Sequence, residues 1–169
     1  TEGAAGEGAV EPSVGALCGE LASFFARGGG SAVVPDSSPL RGSADFARAA
    51  LAEPWRPTLA LGCVASPGLH ILRVPFGATR LEVLSCLGGS GVHAIISLDA
   101  TGGLPAHPLV PTLSVGWGHG VSAEVAEGTE ATFRADEGVA ECGSRVLGRL
   151  QSLASGGHPT SSLLHANVD

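Results

Sequence analysis

One stretch constrains the fold more than any other, residues 68–118, GLHILRVPFGATRLEVLSCLGGSGVHAIISLDATGGLPAHPLVPTLSVGWG. An apolar run at 69–74 reads as a strand and leads into an amphipathic helical segment at 81–87. A second apolar run, 92–98, reads as a fully buried strand and empties into Asp99-Ala-Thr-Gly-Gly-Leu-Pro105. A further strand follows at 110–115. Strand, helix, strand, glycine-rich turn and strand in that order predict an α/β three-layer sandwich, with a mostly parallel, Rossmann-like open sheet flanked by helices. Ligands of such sheets sit at the carboxyl ends of strands, so the 99–105 turn is where a site is expected.

The flanking sequence fits the same plan. Residues 13–27 carry Val14, Leu17, Cys18, Leu21, Phe24 and Phe25 at helical spacing, and Gly28-Gly-Gly30 stops that helix. A short strand is expected at 32–34, a turn at 35–39, and a helix from an N-capping Ser43 to Ala52, ended by Pro54. Residues 58–64 read as a strand, and 121–126 with 130–134 as an edge pair. A long amphipathic helix occupies 138–155 before Gly156-Gly157. The organisation is a flexible tail at 1–12, one domain at 13–157, and a polar tail at 158–169.

A resemblance rests on the glycines, prolines and hydrophobic runs of this frame. Pro67-Gly-Leu-His-Ile-Leu-Arg-Val-Pro75, Gly88-Gly-Ser-Gly-Val-His-Ala-Ile-Ile96, Thr101-Gly102, Pro105, Pro111-Thr112 and Ala154-Ser155-Gly156 occur in order. With these the chain resembles the C-terminal domain of the altronate/galactarate dehydratase family, which removes water from sugar acids. The resemblance covers roughly two-thirds of the chain. The family's turn has an arginine after Thr-Gly, where Gly103 stands here. Its next strand has a lysine and a terminal asparagine, where this chain has Ser114 and Gly118. Its later Asp-x-Asn-Ala-Gly segment corresponds to Thr132-Phe-Arg-Ala-Asp-Glu-Gly138, without the pattern. Arginine and lysine are the side chains that hold a sugar-acid carboxylate, and none stands at its family position. The companion domains of the longer family enzymes are also missing.

Composition narrows the function classes. Charged residues make up 15% of the 169, and the net charge of −7 argues against nucleic acid or an anionic membrane as partner. No apolar run reaches the length of a membrane span. All nine basic residues are arginine, so no lysine Schiff base or lysine general base operates here. The absence of Lys, Tyr and Met, with one Asn and three Ile, fits a GC-biased gene. The four cysteines, Cys18, Cys63, Cys86 and Cys142, form no C-x-x-C pair and read as reduced residues of an intracellular compartment. A start at Thr1 fits a cleaved targeting peptide, as in an imported organellar protein, and equally a trimmed product or a fragment.

Each chemical candidate has a plainer alternative. Thr101, Gly102 and Gly103 can cradle an anion on backbone N–H groups, or simply form a tight turn after a buried strand. Asp99, at a strand's carboxyl end, can act as a catalytic carboxylate or cap the turn. His107 and His119 flank the next strand and are the remaining acid/base candidates, against the plainer reading of surface loop histidines. His70 and His93 would bind a metal if their strands were neighbours; a core histidine bonded to a backbone carbonyl is commoner. Trp55 and Trp117 are interface anchors or edge packing.

Three functions are compatible with these residues. A non-catalytic, dehydratase-like domain serves as a structural or accessory subunit among protein partners, with no cofactor. Alternatively, the chain is a sugar-acid dehydratase or a split subunit of one, using Asp99, His107 and His119 with a divalent metal such as iron. Thirdly, it binds a small metabolite at the glycine turn. The missing cations favour the first.

Overall fold

Among the described residues every strand pairing is parallel. The computed structural model describes residues 12–50, 56–99, 106–117, 131–133 and 137–156. Strands β1 (Ser31–Pro35) and β2 (Gly68–Leu72) pair in parallel, Ser31 opposite Gly68 and Pro35 opposite Leu72. Strands β3 (Ile95–Asp99), β4 (Thr112–Trp117) and β5 (Ala131–Phe133) form a second parallel set in the order β3-β4-β5. Ile95 lies opposite Thr112, Asp99 opposite Gly116, and Trp117 opposite Phe133. Helices α1 (Pro12–Arg27), α2 (Ala44–Ala50) and α3 (Arg80–Gly89) alternate with β1, β2 and β3, α4 (Val139–Ala154) follows β5, and a 3-10 turn occupies Pro39–Gly42. The chain is therefore a mixed α/β protein.

Helix boundaries follow local chemistry. The Gly28–Gly30 run ends α1, with Gly29 at φ +81° and the Gly30 N–H donating back to Phe25 O at 2.9 Å. Ser43 caps α2 by accepting from Phe46 N–H (3.2 Å). Thr79 opens α3 with a capping box: its hydroxyl accepts from Glu82 N–H, while Glu82 Oε2 accepts from Thr79 N–H at 2.7 Å. The backbone bond from Thr79, then its hydroxyl, holds the Glu82 carboxyl below its ordinary value.

Side chains leave the strands in alternation and meet helices on both faces. Val34 and Leu69 pack with Ala22 of α1 and with Phe46 and Ala50 of α2. Leu113 and Val115 pack with Val14, Leu17 and Leu21 of α1 and with Cys142 and Val146 of α4. On the other face Leu72, Val33 and Ile95 meet Leu84 and Leu87 of α3. Helix α1 approaches α2 through glycines: a Cβ on Gly19 would stand 2.6 Å from Ala49 Cβ and 2.7 Å from Phe46 O.

Two expected strands differ. Only Leu59 of the 58–64 run pairs, in a single parallel bridge to Leu72. The rest is exposed loop, because Gly62, at φ +75°, turns the chain. Strand β3 begins at Ile95, so His93 precedes it and is exposed rather than on a buried strand face. The 121–126 run and both tails, apart from Pro12, lie outside the described residues, and β5 adds to β4 in parallel.

Candidate functional site

The carboxyl ends of the strands gather several polar groups. Asp36, directly after β1, accepts from Val74 N–H on Oδ1 (3.0 Å), joining the ends of β1 and β2. The Arg41 guanidinium donates to Asp36 O (3.3 Å). Arg80, the first residue of α3, reaches β3: its Nη2 donates to Ser97 Oγ at 3.1 Å and to Leu98 O at 3.3 Å. A guanidinium is thus fixed at the carboxyl end of β3, where parallel sheets receive ligands. Sequence reasoning missed Arg80. The available signal was its place just after the Thr79 cap of a crossover helix, which starts at that edge by construction. Beside it, the turn Pro75–Ala78, closed by Ala78 N–H to Pro75 O (3.1 Å), holds Phe76 fully exposed.

His107 lies at the other end of the strands. It precedes β4, and its backbone N–H donates to Oγ1 of Thr112, the first residue of that strand (3.1 Å). Its ring rests on Gly88 in the last turn of α3, which has no Cβ to obstruct it. Nδ1 accepts two backbone N–H groups, from Leu109 at 3.0 Å and Val110 at 2.8 Å. A nitrogen accepting two bonds carries no proton, so the neutral ring has its proton on Nε2. The ring closes the 107–110 loop.

Asp99 and His107 are consequently not brought together. Asp99 is the last residue of β3 and pairs with Gly116, whereas His107 is tied to the first residue of β4, opposite Ile95. Asp99 lies four residue steps along β3 from Ile95, about 13 Å at the usual rise. Direct acid/base cooperation needs hydrogen-bond reach or a single bridging water. The side chain of Asp99, and that of Trp117 at the end of β4, lie outside the described residues. So do Trp55, Thr101, Gly102, Gly103, Gly118 and His119 altogether.

His70 is buried on β2, 4% exposed, with Nε2 2.8 Å from Ser66 O. It is bonded to a carbonyl, and exposed His93 lies ahead of a strand in the other sheet. Among the described residues no three His, Cys, Asp or Glu side chains come together in a way that could hold a metal. Cys18 and Cys142 face one another between α1 and α4. Burial, and then the Cys142 charge, pushes the Cys18 thiol up to about 12, and burial alone raises Cys142. Both thiols stay protonated at neutral pH, where a nucleophile would need thiolate. Cys63 is exposed and Cys86 half-buried.

Among the described residues no helix is long and apolar enough to cross a membrane. No protein-family model matches the chain, and no match is found among curated proteins or solved structures.

Proposed function

We infer that the chain is a non-catalytic, dehydratase-like α/β domain acting as a structural or accessory subunit of a larger protein assembly. The separation of Asp99 from His107, with His107 Nδ1 committed to two loop amides, carries this reading. Asp99 and His107, two of the three residues assigned to proton transfer, stand at opposite ends of the strands, which supports a resemblance to the scaffold rather than to its chemistry. Phe76 adds to it. A rigid turn holds an aromatic ring in solvent at the carboxyl edge, the form of an interface anchor.

The architecture belongs to the same proposal. Helices α1, α2 and α4 cover one face of the strands and α3 the other, which supports a three-layer, Rossmann-like sandwich with both parallel sets in one central layer. One observation favours the alternative, a sugar-acid dehydratase or a split subunit of one: Arg80 sets a guanidinium at the carboxyl end of β3, where a carboxylate would bind.

Mild isolation from the native source tests both readings. The expected result is stoichiometric recovery within a large particle of unrelated proteins, and no dehydration of altronate or galactarate with added ferrous iron. Recovery as a free homo-oligomer or beside a second dehydratase-like chain, or turnover that falls with Arg80→Ala, overturns the accessory reading.

A further inference from the structure

The two faces of β3 and β4 differ in chemistry. Ile96 and Leu98 of β3, with Leu113 and Val115 of β4, pack against α1 and α4. Alternation places Ser97, Ser114 and Gly116 on the other face. Ser97 lies directly opposite Ser114 in the parallel register, and each is only 6% exposed. Neighbouring strands stand about 4.8 Å apart, so the two hydroxyls share one patch of that face. Gly116, the next residue of β4 on it, contributes no side chain.

Arg80 borders this patch from α3. Its Nη2 uses both of its N–H bonds, on Ser97 Oγ (3.1 Å) and on Leu98 O (3.3 Å), so neutral partners fix the guanidinium. Among the described residues no carboxylate pairs with it. Glu82, two residues on, is turned to the Thr79 N–H and hydroxyl instead. Nε and Nη1 keep three N–H donors, and Arg80 is exposed, so a solute reaches them. Ser97 Oγ accepts from Arg80 and still has its own proton to give. Among the described residues the Ser114 hydroxyl, more than nine-tenths buried, makes no hydrogen bond. A buried hydroxyl in that state is costly unless a ligand or water meets it.

We propose that Arg80, Ser97 and Ser114 form a binding site for a phosphate group, free or carried on a small metabolite. The groups that converge are N–H and O–H donors, and the formal charge among them is positive, so the ligand group is an oxyanion. Its shape follows from the guanidinium. Nη2 belongs to both forked N–H pairs of an arginine, and its bonds are taken, so a planar carboxylate is left with one N–H at a time. Single donors remain, from Arg80 on one side and from two serines of the sheet face on the other. Donors that do not share a plane suit the tetrahedral oxygens of a phosphate. The place agrees with the carboxyl ends of strands, where parallel sheets receive ligands. The inference goes beyond the accessory reading and does not depend on it, since a subunit of an assembly holds a phosphate as readily as a free protein.

Isothermal titration calorimetry of the full chain with inorganic phosphate tests it, with sodium chloride holding the ionic strength constant so that general screening is the same throughout. The expected result is saturable binding at one site with a dissociation constant of about 1 mM. Glycerol 3-phosphate bound more tightly than inorganic phosphate identifies an ester as the ligand, and the reverse order identifies the free ion. Galactarate should bind about tenfold more weakly than phosphate. Arg80→Gln should weaken phosphate about tenfold and Ser114→Ala about threefold. Arg80 is exposed and Ser114→Ala removes a single oxygen, so the fold is retained, which circular dichroism checks. Arg41→Gln, at the neighbouring strand end, should leave binding unchanged. The absence of saturable binding up to about 50 mM overturns the proposal. So does binding that either Arg80→Gln or Ser114→Ala leaves unchanged, or galactarate held as tightly as phosphate. Failure here leaves the accessory reading standing, because isolation from the native source tests that reading separately.

Discussion

Replacing His107 separates a loop clasp from a proton-transfer group. In the structure His107 Nδ1 is the acceptor for Leu109 N–H (3.0 Å) and Val110 N–H (2.8 Å). His107→Ala leaves both amides without it. Each bond has a net worth of about 1 kcal/mol, but Leu109 is exposed and its amide regains water, whereas Val110 is half-buried. The expected loss is therefore about 1.5 kcal/mol. With a urea m-value near 2 kcal/mol/M, the midpoint falls by about 0.7 M. His107→Asn is the informative partner. Its Oδ1 stands as many bonds from the backbone as Nδ1 does and accepts the same two N–H groups. Only the ring's packing on Gly88 is lost, about 0.5 kcal/mol. Hydrogen exchange at Val110 should quicken about tenfold in the alanine variant and stay near the parent rate in the asparagine one. An alanine variant within 0.3 kcal/mol of the parent, or an asparagine variant as unstable as alanine, would refute the clasp.

Two further outcomes follow from the packing of α1. Gly19→Ala adds a methyl that exposed helical glycines normally welcome by about 1 kcal/mol. Here it meets Ala49 Cβ and Phe46 O, so thermal unfolding should show a destabilisation of about 2 kcal/mol instead, partly relieved by Ala49→Gly. The Cys18 thiol has a folded-state value raised to about 12. Its contribution to stability is whole below the unfolded thiol value, near 8.5, and is lost as pH rises towards 12. Cys18→Ala should flatten this alkaline fall in the urea midpoint, and an unchanged alkaline limb would remove thiol ionisation as its cause.

Elements with strong local signals were legible in the sequence. Ser43 marked its helix because capping is a matter of a few adjacent atoms, and Gly28–Gly30 marked the end of α1 for the same reason. The 58–64 run misled because its apolar residues do not face a core; Leu61 and Val64 are exposed, and only Leu59 turns inward. His93 misled through its apolar neighbours, since periodicity does not locate where a strand's pairing begins. The partners of His107 were hidden for a different reason. Leu109 and Val110 are near in sequence, but Gly88 is brought beneath the ring only by the packing of α3. Arg80 likewise gained its contacts with Ser97 and Leu98 from the crossover, which no local pattern records.

The two ends of the strands carry different inventories, and that contrast bears on function more than any single residue. At the carboxyl edge stand Asp36, which accepts from Val74 N–H, Arg41, which donates to Asp36 O, and Arg80, which donates to Ser97 and Leu98 of β3. At the amino edge Arg56 donates to Pro67 O, and His107 spends its basic nitrogen on the backbone. Ligand chemistry in parallel sheets belongs to the carboxyl edge, because crossover helices begin there and point their N–H groups at it. A surface at the amino edge is free of that demand. The carboxyl edge, where Arg80 is fixed against Ser97 and Leu98, is therefore the place to look for a bound anion.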